Sequence, residues 1–379
     1  MTENEEYTKK MYAQWICSLK GLDSANTKRM EQAFDDPRQV LEATDTKLKE
    51  VFSKGLLHEF IERRSSELCK DGVREGYERM LQRGISFVWK GEREYPGKLL
   101  AIPDAPYGLY YRGRLPKDER LSVAVIGARE CSPYGEYVAG EIGKCLAKNG
   151  VQVISGMARG IDGISQRAAL VNEGSSFGVL GCGVDICYPE SNRKLYDMLG
   201  QKGGIISSFP PGTPPIPRNF PPRNRIVSGL SDCVIVVEAR LKSGTLITVD
   251  MALEQGREVY VVPGRITDRL SDGCNKLIRE GAGIVLSPDD FLDEITKNLG
   301  LGQQLTLNTK KSCSSEEELT GDYTAEERQV YGALDFNPCD INALAARLHM
   351  STQKTGTCLM RLCLAGKATK ISGGYYVKN

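Results

Sequence analysis

Between Ser122 and Ser287 short apolar runs alternate with helical stretches, and this alternation narrows the possible folds more than any other feature of the chain. The apolar runs are Ser122–Ile126, Val151–Ser155, Ser176–Leu180, Gly204–Ser208, Cys233–Val237, Val259–Val262 and Gly283–Leu286. Helical candidates fall between them at 134–148, 161–173, 191–200, 245–255 and 272–280. A strand that is apolar nearly throughout, rather than at every second residue, needs cover on both faces. Helices between such strands supply that cover, so the pattern predicts a parallel sheet between two helical layers.

Ligands of such sheets sit beyond the carboxyl ends of the strands. Four basic segments stand there. They are Gly127-Ala-Arg129, Gly156-Met-Ala-Arg-Gly160, Pro217-Arg-Asn-Phe-Pro-Pro-Arg-Asn-Arg225 and Arg240-Leu-Lys-Ser-Gly-Thr245. A glycine at a strand end brings backbone N–H groups close to a phosphate, and the next helix start adds positive dipole potential. Arg129 adds a two-pronged donor. A dinucleotide is not the expected ligand: the next glycine after Gly127 is Gly135, and the second strand ends in Ser155-Gly156 where a ribose-binding carboxylate would stand. The order Gly-x4-Gly-Lys-Ser/Thr of a P-loop is also missing around Lys242, Ser243 and Gly244.

No carboxylate occurs from Met198 to Ser231, whereas Lys202, Arg218, Arg223 and Arg225 do. Prolines between 210 and 222 stiffen that stretch, which lowers the entropy lost on binding. Phe220 lies among these arginines. It offers a ring face to a base, as a single-stranded nucleic acid requires, or it packs beneath a structural loop. Asp162 reads as a cap for the helix that follows it. No nucleophile–base set is evident, and His58 and His349 lie outside the sheet region.

The flanks differ in character. Residues 1–83 carry apolar positions at helical spacing, such as Met11, Trp15 and Leu19, and are expected to form a small helical domain. Residues 84–114 are punctuated by Tyr95-Pro96, Ile102-Pro103 and Ala105-Pro106 and are expected to be a connector to a sheet domain at 115–298. Residues 299–322 are polar and read as a linker. At 323–379, Thr324-Ala-Glu-Glu327 forms a capping box, Asp340 and Ser351 precede two further helices, and a hairpin closes around Gly373-Gly374. Three helices followed by a hairpin is the order of a winged helix-turn-helix.

The formal net charge of +1 means that a polyanion site must come from local clustering. The 12 cysteines include no Cys-x-x-Cys and are expected to be small buried hydrophobes in a reducing compartment, with no metal. No run of 18 apolar residues suggests a membrane span, and the acidic start lacks the pattern of a secretory signal, so the cytoplasm is the expected location.

These motifs resemble the DNA-processing protein A family (DprA, also called Smf). The resemblance rests on Val125-Ile-Gly-Ala-Arg129, Ser155-Gly-Met-Ala-Arg-Gly-Ile-Asp162, Phe220-Pro-Pro-Arg-Asn-Arg-Ile-Val227, Ser243-Gly-Thr-Leu-Ile-Thr248 and Gly256-Arg-Glu-Val-Tyr-Val-Val-Pro-Gly264. It covers almost the whole chain. It implies an α/β fold with an extended Rossmann-like, parallel-rich sheet, an N-terminal domain akin to sterile-alpha-motif or helix-hairpin-helix folds, and a C-terminal winged helix. It further implies a non-catalytic homodimer that binds single-stranded DNA in natural transformation, protects incoming strands and loads the recombinase RecA, with no cofactor. DNA-binding positions implied by the motifs are Gly127, Arg129, Ser155, Gly156, Gly160, Arg218, Phe220, Arg223, Asn224, Arg225, Lys242, Ser243 and Gly244. A lysine of some members falls on Pro217 here, next to Arg218. Lys20-Gly-Leu-Asp23 lacks the Gly-x-Gly hairpin, so the N-terminal domain is not expected to touch DNA. The winged helix is sparse in cations and is expected to have a protein-interaction or regulatory role rather than to bind duplex. A Rossmann-like enzyme acting on a nucleotide or sugar phosphate, with Glu238 as its carboxylate, is the alternative.

Overall fold

The computed structural model of the chain describes residues 3–67, 72–299, 323–336, 338–371 and 374–378. Contacts divide it into two compact units. In the first, six helices open the chain: α1 (Glu3–Cys17), α2 (Ser24–Ala33), α3 (Pro37–Glu42), α4 (Asp45–Val51), α5 (Lys54–Glu67) and α6 (Gly72–Gln82). Their starts follow local chemistry. Asp23 accepts the Asn26 N–H at 2.7 Å ahead of α2, and Asp36 accepts the Arg38 N–H at 2.8 Å with Pro37 as the first helical residue of α3. Trp15 and Phe60 meet edge to face at 5.3 Å in the core of these helices.

Strands β1 (Ser86–Trp89) and β2 (Gly108–Gly113) flank the short helix α7 (Gly97–Leu100). They are not a connector. They pair antiparallel with each other, and β2 pairs antiparallel with β6 (Gly204–Ser207), so both extend the main sheet. Phe87 and Tyr110, 0% exposed, turn inward beside Trp15 and Cys17 of α1 in one core. The expected break at residue 83 therefore lies inside a compact unit, because the apolar face of these strands can only be buried against the opening helices.

The other strands are β3 (Ser122–Ile126), β4 (Gln152–Ser155), β5 (Ser176–Val179), β7 (Cys233–Val236), β8 (Glu258–Val261) and β9 (Gly283–Ile284). The sheet order is β1-β2-β6-β5-β4-β3-β7-β8-β9, and from β6 to β9 all pairs are parallel. Helices α8 (Pro133–Lys148), α9 (Ile161–Val171), α10 (Arg193–Lys202), α11 (Phe220–Gly229), α12 (Gly244–Glu254) and α13 (Asp272–Arg279) connect successive strands, and α14 (Pro288–Asn298) follows β9. Every residue of β3, β4, β5, β6 and β7 is buried, which accounts for their unbroken apolar runs. Helix α11 occupies sequence expected to be a proline-stiffened loop. Pro221 and Pro222 sit in its first turn, where a missing N–H costs nothing.

The second unit contains α15 (Ala325–Ala333), β10 (Cys339–Asp340), α16 (Ile341–Leu348), α17 (Thr352–Leu364), β11 (Ala368–Lys370) and β12 (Tyr375–Lys378). Thr324 and Glu327 form the reciprocal capping box. Asp340 and Ser351 cap α16 and α17. The three strands pair antiparallel in the order β10-β12-β11 around a core of Val330, Leu344, Leu359 and Leu362. Helices and wing thus take the order expected of a winged helix. The expected linker lies, apart from Leu299, outside the described residues, as does Gly373 of the hairpin turn.

Candidate nucleic-acid interface

After β3 the chain winds outward through β4, β5 and β6, then returns to β7 on the other side of β3. The direction of winding reverses between β3 and β7, and a sheet of this kind opens a crevice there, beyond the carboxyl ends of those two strands. Gly127 and Arg129 follow β3, and Arg240, Lys242, Ser243 and Gly244 follow β7. Ser243 caps α12 by accepting the Thr245 N–H at 3.1 Å. The Thr245 hydroxyl donates to the Gly127 carbonyl at 3.3 Å and so ties the two sides of the crevice together.

Gly127, after β3, and Gly160, at the start of α9, are demanded by protein packing. A Cβ on Gly127 would lie 2.7 Å from Cγ1 of Ile161 and 3.1 Å from the Glu238 carbonyl oxygen. Gly160 has φ +69°, and a Cβ there would overlap the carbonyl oxygens of Ala128 and Arg129. Both glycines therefore press the β3 and β4 turns together, which fixes the backbone that carries Arg129.

The turn after β4 is held from within. Asp162 is buried, and its carboxylate accepts the Gly156 N–H at 3.1 Å. It does not cap α9, whose N-cap is Gly160 without a side-chain bond. Burial pushes the Asp162 pKa upward, while the Arg223 charge and bonds from Ser155, Gly156 and Ala158 pull it down. Asn192, also buried, donates to the carbonyls of Met157 at 3.1 Å and Ala158 at 3.0 Å. Met157 itself is at φ 54°, a strained conformation that these bonds secure.

The expected site residues separate into three groups. Ser155, Gly156 and Arg223 are interior. The Ser155 hydroxyl donates to the Val125 carbonyl at 2.7 Å. Arg223 is 6% exposed and donates to the carbonyls of Gly156 at 2.5 Å and Val179 at 2.6 Å. Its burial lowers its pKa, opposed by Asp162 and assisted by Arg129. Asn224 accepts from Arg223 Nε at 3.1 Å, and Arg225 is spent on ion pairs with Asp104 and Glu254. Of the remaining group, Arg129, Arg218, Lys242 and Gly244 are exposed, and Phe220 and Ser243 are half-buried. Arg159 and Arg240 are exposed on the same edge and were not among the expected set. Neither they nor Arg129, Arg218 or Lys242 form an ion pair among the described residues.

Phe220 opens α11 and is surrounded. The guanidinium carbons of Arg129 and Arg223 lie 5.8 and 5.7 Å from its ring centre, and the Tyr188 ring lies 5.7 Å away at an interplanar angle of 31°. The preceding proline-rich segment is braced by Asp185. One carboxylate oxygen accepts the Gly212 N–H at 2.8 Å, and the other accepts from Arg83, just after α6, at 2.5 Å. Arg83 is 58% exposed, so this pair is worth no more than about 1 kcal/mol. Arg83→Ala is expected to speed amide exchange at Gly212 and Thr213 by about two- to fivefold, with global stability unchanged. Unaltered exchange there, measured by mass spectrometry, would mean that the brace is not formed in solution.

Among the described residues, no helix is long and apolar enough to cross a membrane, and no cluster of three or more His, Cys, Asp or Glu is arranged to hold a metal.

Residues 86–296 match the family model described as DNA recombination-mediator protein A, and residues 314–374 match that of the DprA winged helix domain. The chain is 44% identical over 200 residues to DNA processing protein DprA of Streptococcus pneumoniae, covering 53% of this chain and 71% of that protein. It is 39% identical to Protein Smf of Escherichia coli over 282 residues, 74% of each chain. The crystal structure of DprA from Streptococcus pneumoniae superimposes with a TM-score of 0.66 at 33% identity, covering 75% of this chain and 97% of that one. A Helicobacter pylori DNA processing protein A, in a structure described as showing its single-stranded DNA binding mode, superimposes with a TM-score of 0.51 at 32% identity, covering 56% of this chain and 96% of that one. With its glycine-rich strand ends, its switch-point crevice and its winged helix, this chain belongs to the DprA/Smf family of DNA recombination mediators.

Proposed function

We propose that this protein binds single-stranded DNA along the carboxyl edge of its parallel sheet. On this reading it is a homodimer that protects incoming strands in the cytoplasm during natural transformation and loads RecA onto them, without catalysing a reaction. The observation that carries the proposal is the row of unpaired cations: Arg218 after β6, Arg159 after β4, Arg129 after β3 and Lys242 after β7. Neighbouring strands are about 4.8 Å apart, so this row extends for roughly 19 Å. That exceeds what one nucleotide fills and suits successive phosphates of a strand, with aromatic rings beside them. The Helicobacter pylori relative, whose structure is described by its single-stranded DNA binding, supports the same ligand.

The expected result is tighter binding of oligo-dT than of a duplex of equal length in gel-shift titrations. Arg129→Ala should weaken binding to all sequences alike and reduce the slope of log affinity against log salt by about 0.7. Equal affinity for the two DNAs, or an unchanged slope, contradicts the assignment.

For the winged helix we propose a protein-binding role. Lys354 and Arg361 of α17 are paired with Glu326 at 3.0 Å and Glu327 at 2.8 Å. The Lys370 ammonium lies 5.9 Å from the Tyr376 ring centre. Both cations of α17 are thus engaged within the domain, which disfavours this helix as a reader of a duplex backbone. The enzyme alternative would draw on Glu238, which is 1% exposed beside the Gly127 turn. Release of base or phosphate from nucleotides, lost in Glu238→Gln, would favour that alternative.

A further inference from the structure

Phe220 is the aromatic residue that the sequence offers as a platform for a base, yet its surroundings are already occupied. Two guanidinium groups lie within 6 Å of its ring centre. At its edge, Gly181 is so close that a Cβ there would meet Phe220 Cδ1 at 2.9 Å. A base stacking directly on Phe220 would have to displace one of these neighbours. Tyr188 is differently placed. It follows β5 in the turn Cys187-Tyr188-Pro189, its ring is inclined by only 31° to that of Phe220, and the residue is 41% exposed. The aromatic pair thus has an enclosed member and an open member.

We propose that Tyr188 is the base-stacking platform of this site, with Phe220 as the layer that supports it from beneath. This rests on the single-stranded DNA reading and adds to it the residue that holds a nucleobase. Three physical features support the role. The Phe220 ring, itself lined by Arg129 and Arg223, packs against the Tyr188 ring and restricts its plane, which limits the entropy lost when a base settles on it. The ring is flanked in the strand order by turns that present phosphate-binding cations, Arg218 after β6 on one side and Arg159 after β4 on the other. An exposed tyrosine without such a supporting ring and without cations on both sides would be unremarkable surface. Stacking on a ring face has little preference among bases, so the platform suits a protein that must accept any sequence.

The test is a titration of the full-length protein with fluorescein-labelled oligo-dT. Tyr188→Ala is expected to lower affinity about 5- to 100-fold, whereas Tyr188→Phe stays within twofold of the parent. Because the ring carries no charge, the salt slope should be the same for Tyr188→Ala and the parent, in contrast to Arg129→Ala. Affinity of Tyr188→Ala within twofold of the parent overturns the proposal. Failure of the parent itself to bind oligo-dT overturns the single-stranded DNA reading instead, so the two failures are distinct. Should Tyr188→Ala not fold, the parent can be photo-crosslinked to oligonucleotides carrying 5-iodouracil. Adducts at Tyr188 support the platform; adducts confined to Phe220 or to other residues refute it.

Discussion

Arg223→Met is expected to lower the free energy of unfolding by about 3–5 kcal/mol, because two buried carbonyls lose a charged donor and each unsatisfied buried group costs about 1–3 kcal/mol. The side chain of Arg223 is as enclosed as a core leucine, and methionine fills much of its volume. The loss is therefore electrostatic. The carbonyls of Gly156 and Val179 lose their donor, and the buried Asp162 loses the nearby positive charge that holds its pKa down. This gives the effect a pH signature. In the parent, burial already places the Asp162 pKa above its ordinary value, and without Arg223 it rises further. A carboxyl raised in the folded state contributes its stability below the unfolded pKa, about 3.9, and that stability is lost as pH rises through the folded value. Urea unfolding of parent and variant should therefore differ least near pH 4 and most at pH 7. A penalty below 1 kcal/mol at pH 7, or one that does not vary with pH, would show that Arg223 and Asp162 are not coupled in the interior.

Arg223 also marks where the sequence stops being legible. Arg218, Arg223 and Arg225 stand close together in a segment without carboxylates, and charge alone gives all three to a polyanion. The structure gives one to solvent, one to the interior and one to ion pairs. The signal that separates them is helical: Pro221 and Pro222 mark a helix start, and Arg223, Ile226, Val227 and Leu230 recur on one buried face. The parallel sheet, by contrast, could be read almost strand by strand, because doubly covered strands need continuous apolar runs and such runs are conspicuous. Strands β1 and β2 were not readable in the same way. They are short, only part of each is buried, and the prolines between them look like punctuation in a connector. Asn192, Asp185 and Tyr188 were invisible for a further reason. Each meets a segment remote in sequence, and only the assembled sheet brings it there.

The largest change in binding is expected from removing three exposed cations of the sheet's carboxyl edge together. In the triple variant Arg129→Ala, Arg218→Ala, Lys242→Ala, affinity for oligo-dT should fall about 100-fold near 0.1 M salt, and the slope of log affinity against log salt should become shallower by about 2. The reasoning is counterion release: each phosphate neutralised on a single strand contributes about 0.7 to the slope, and three are lost. These three side chains make no ion pair among the described residues, so stability should change by less than about 0.5 kcal/mol, and a loss of binding cannot be ascribed to unfolding. Arg225→Ala is the internal contrast. It removes the same charge but breaks pairs to Asp104 and Glu254, so it should cost stability while leaving the salt slope close to that of the parent. Fluorescence anisotropy across a salt series, with melting curves for each variant, separates the two outcomes. If Arg225→Ala flattens the slope as much as one of the exposed cations does, Arg225 reaches the strand despite its ion pairs, and the division between inward and outward arginines is wrong.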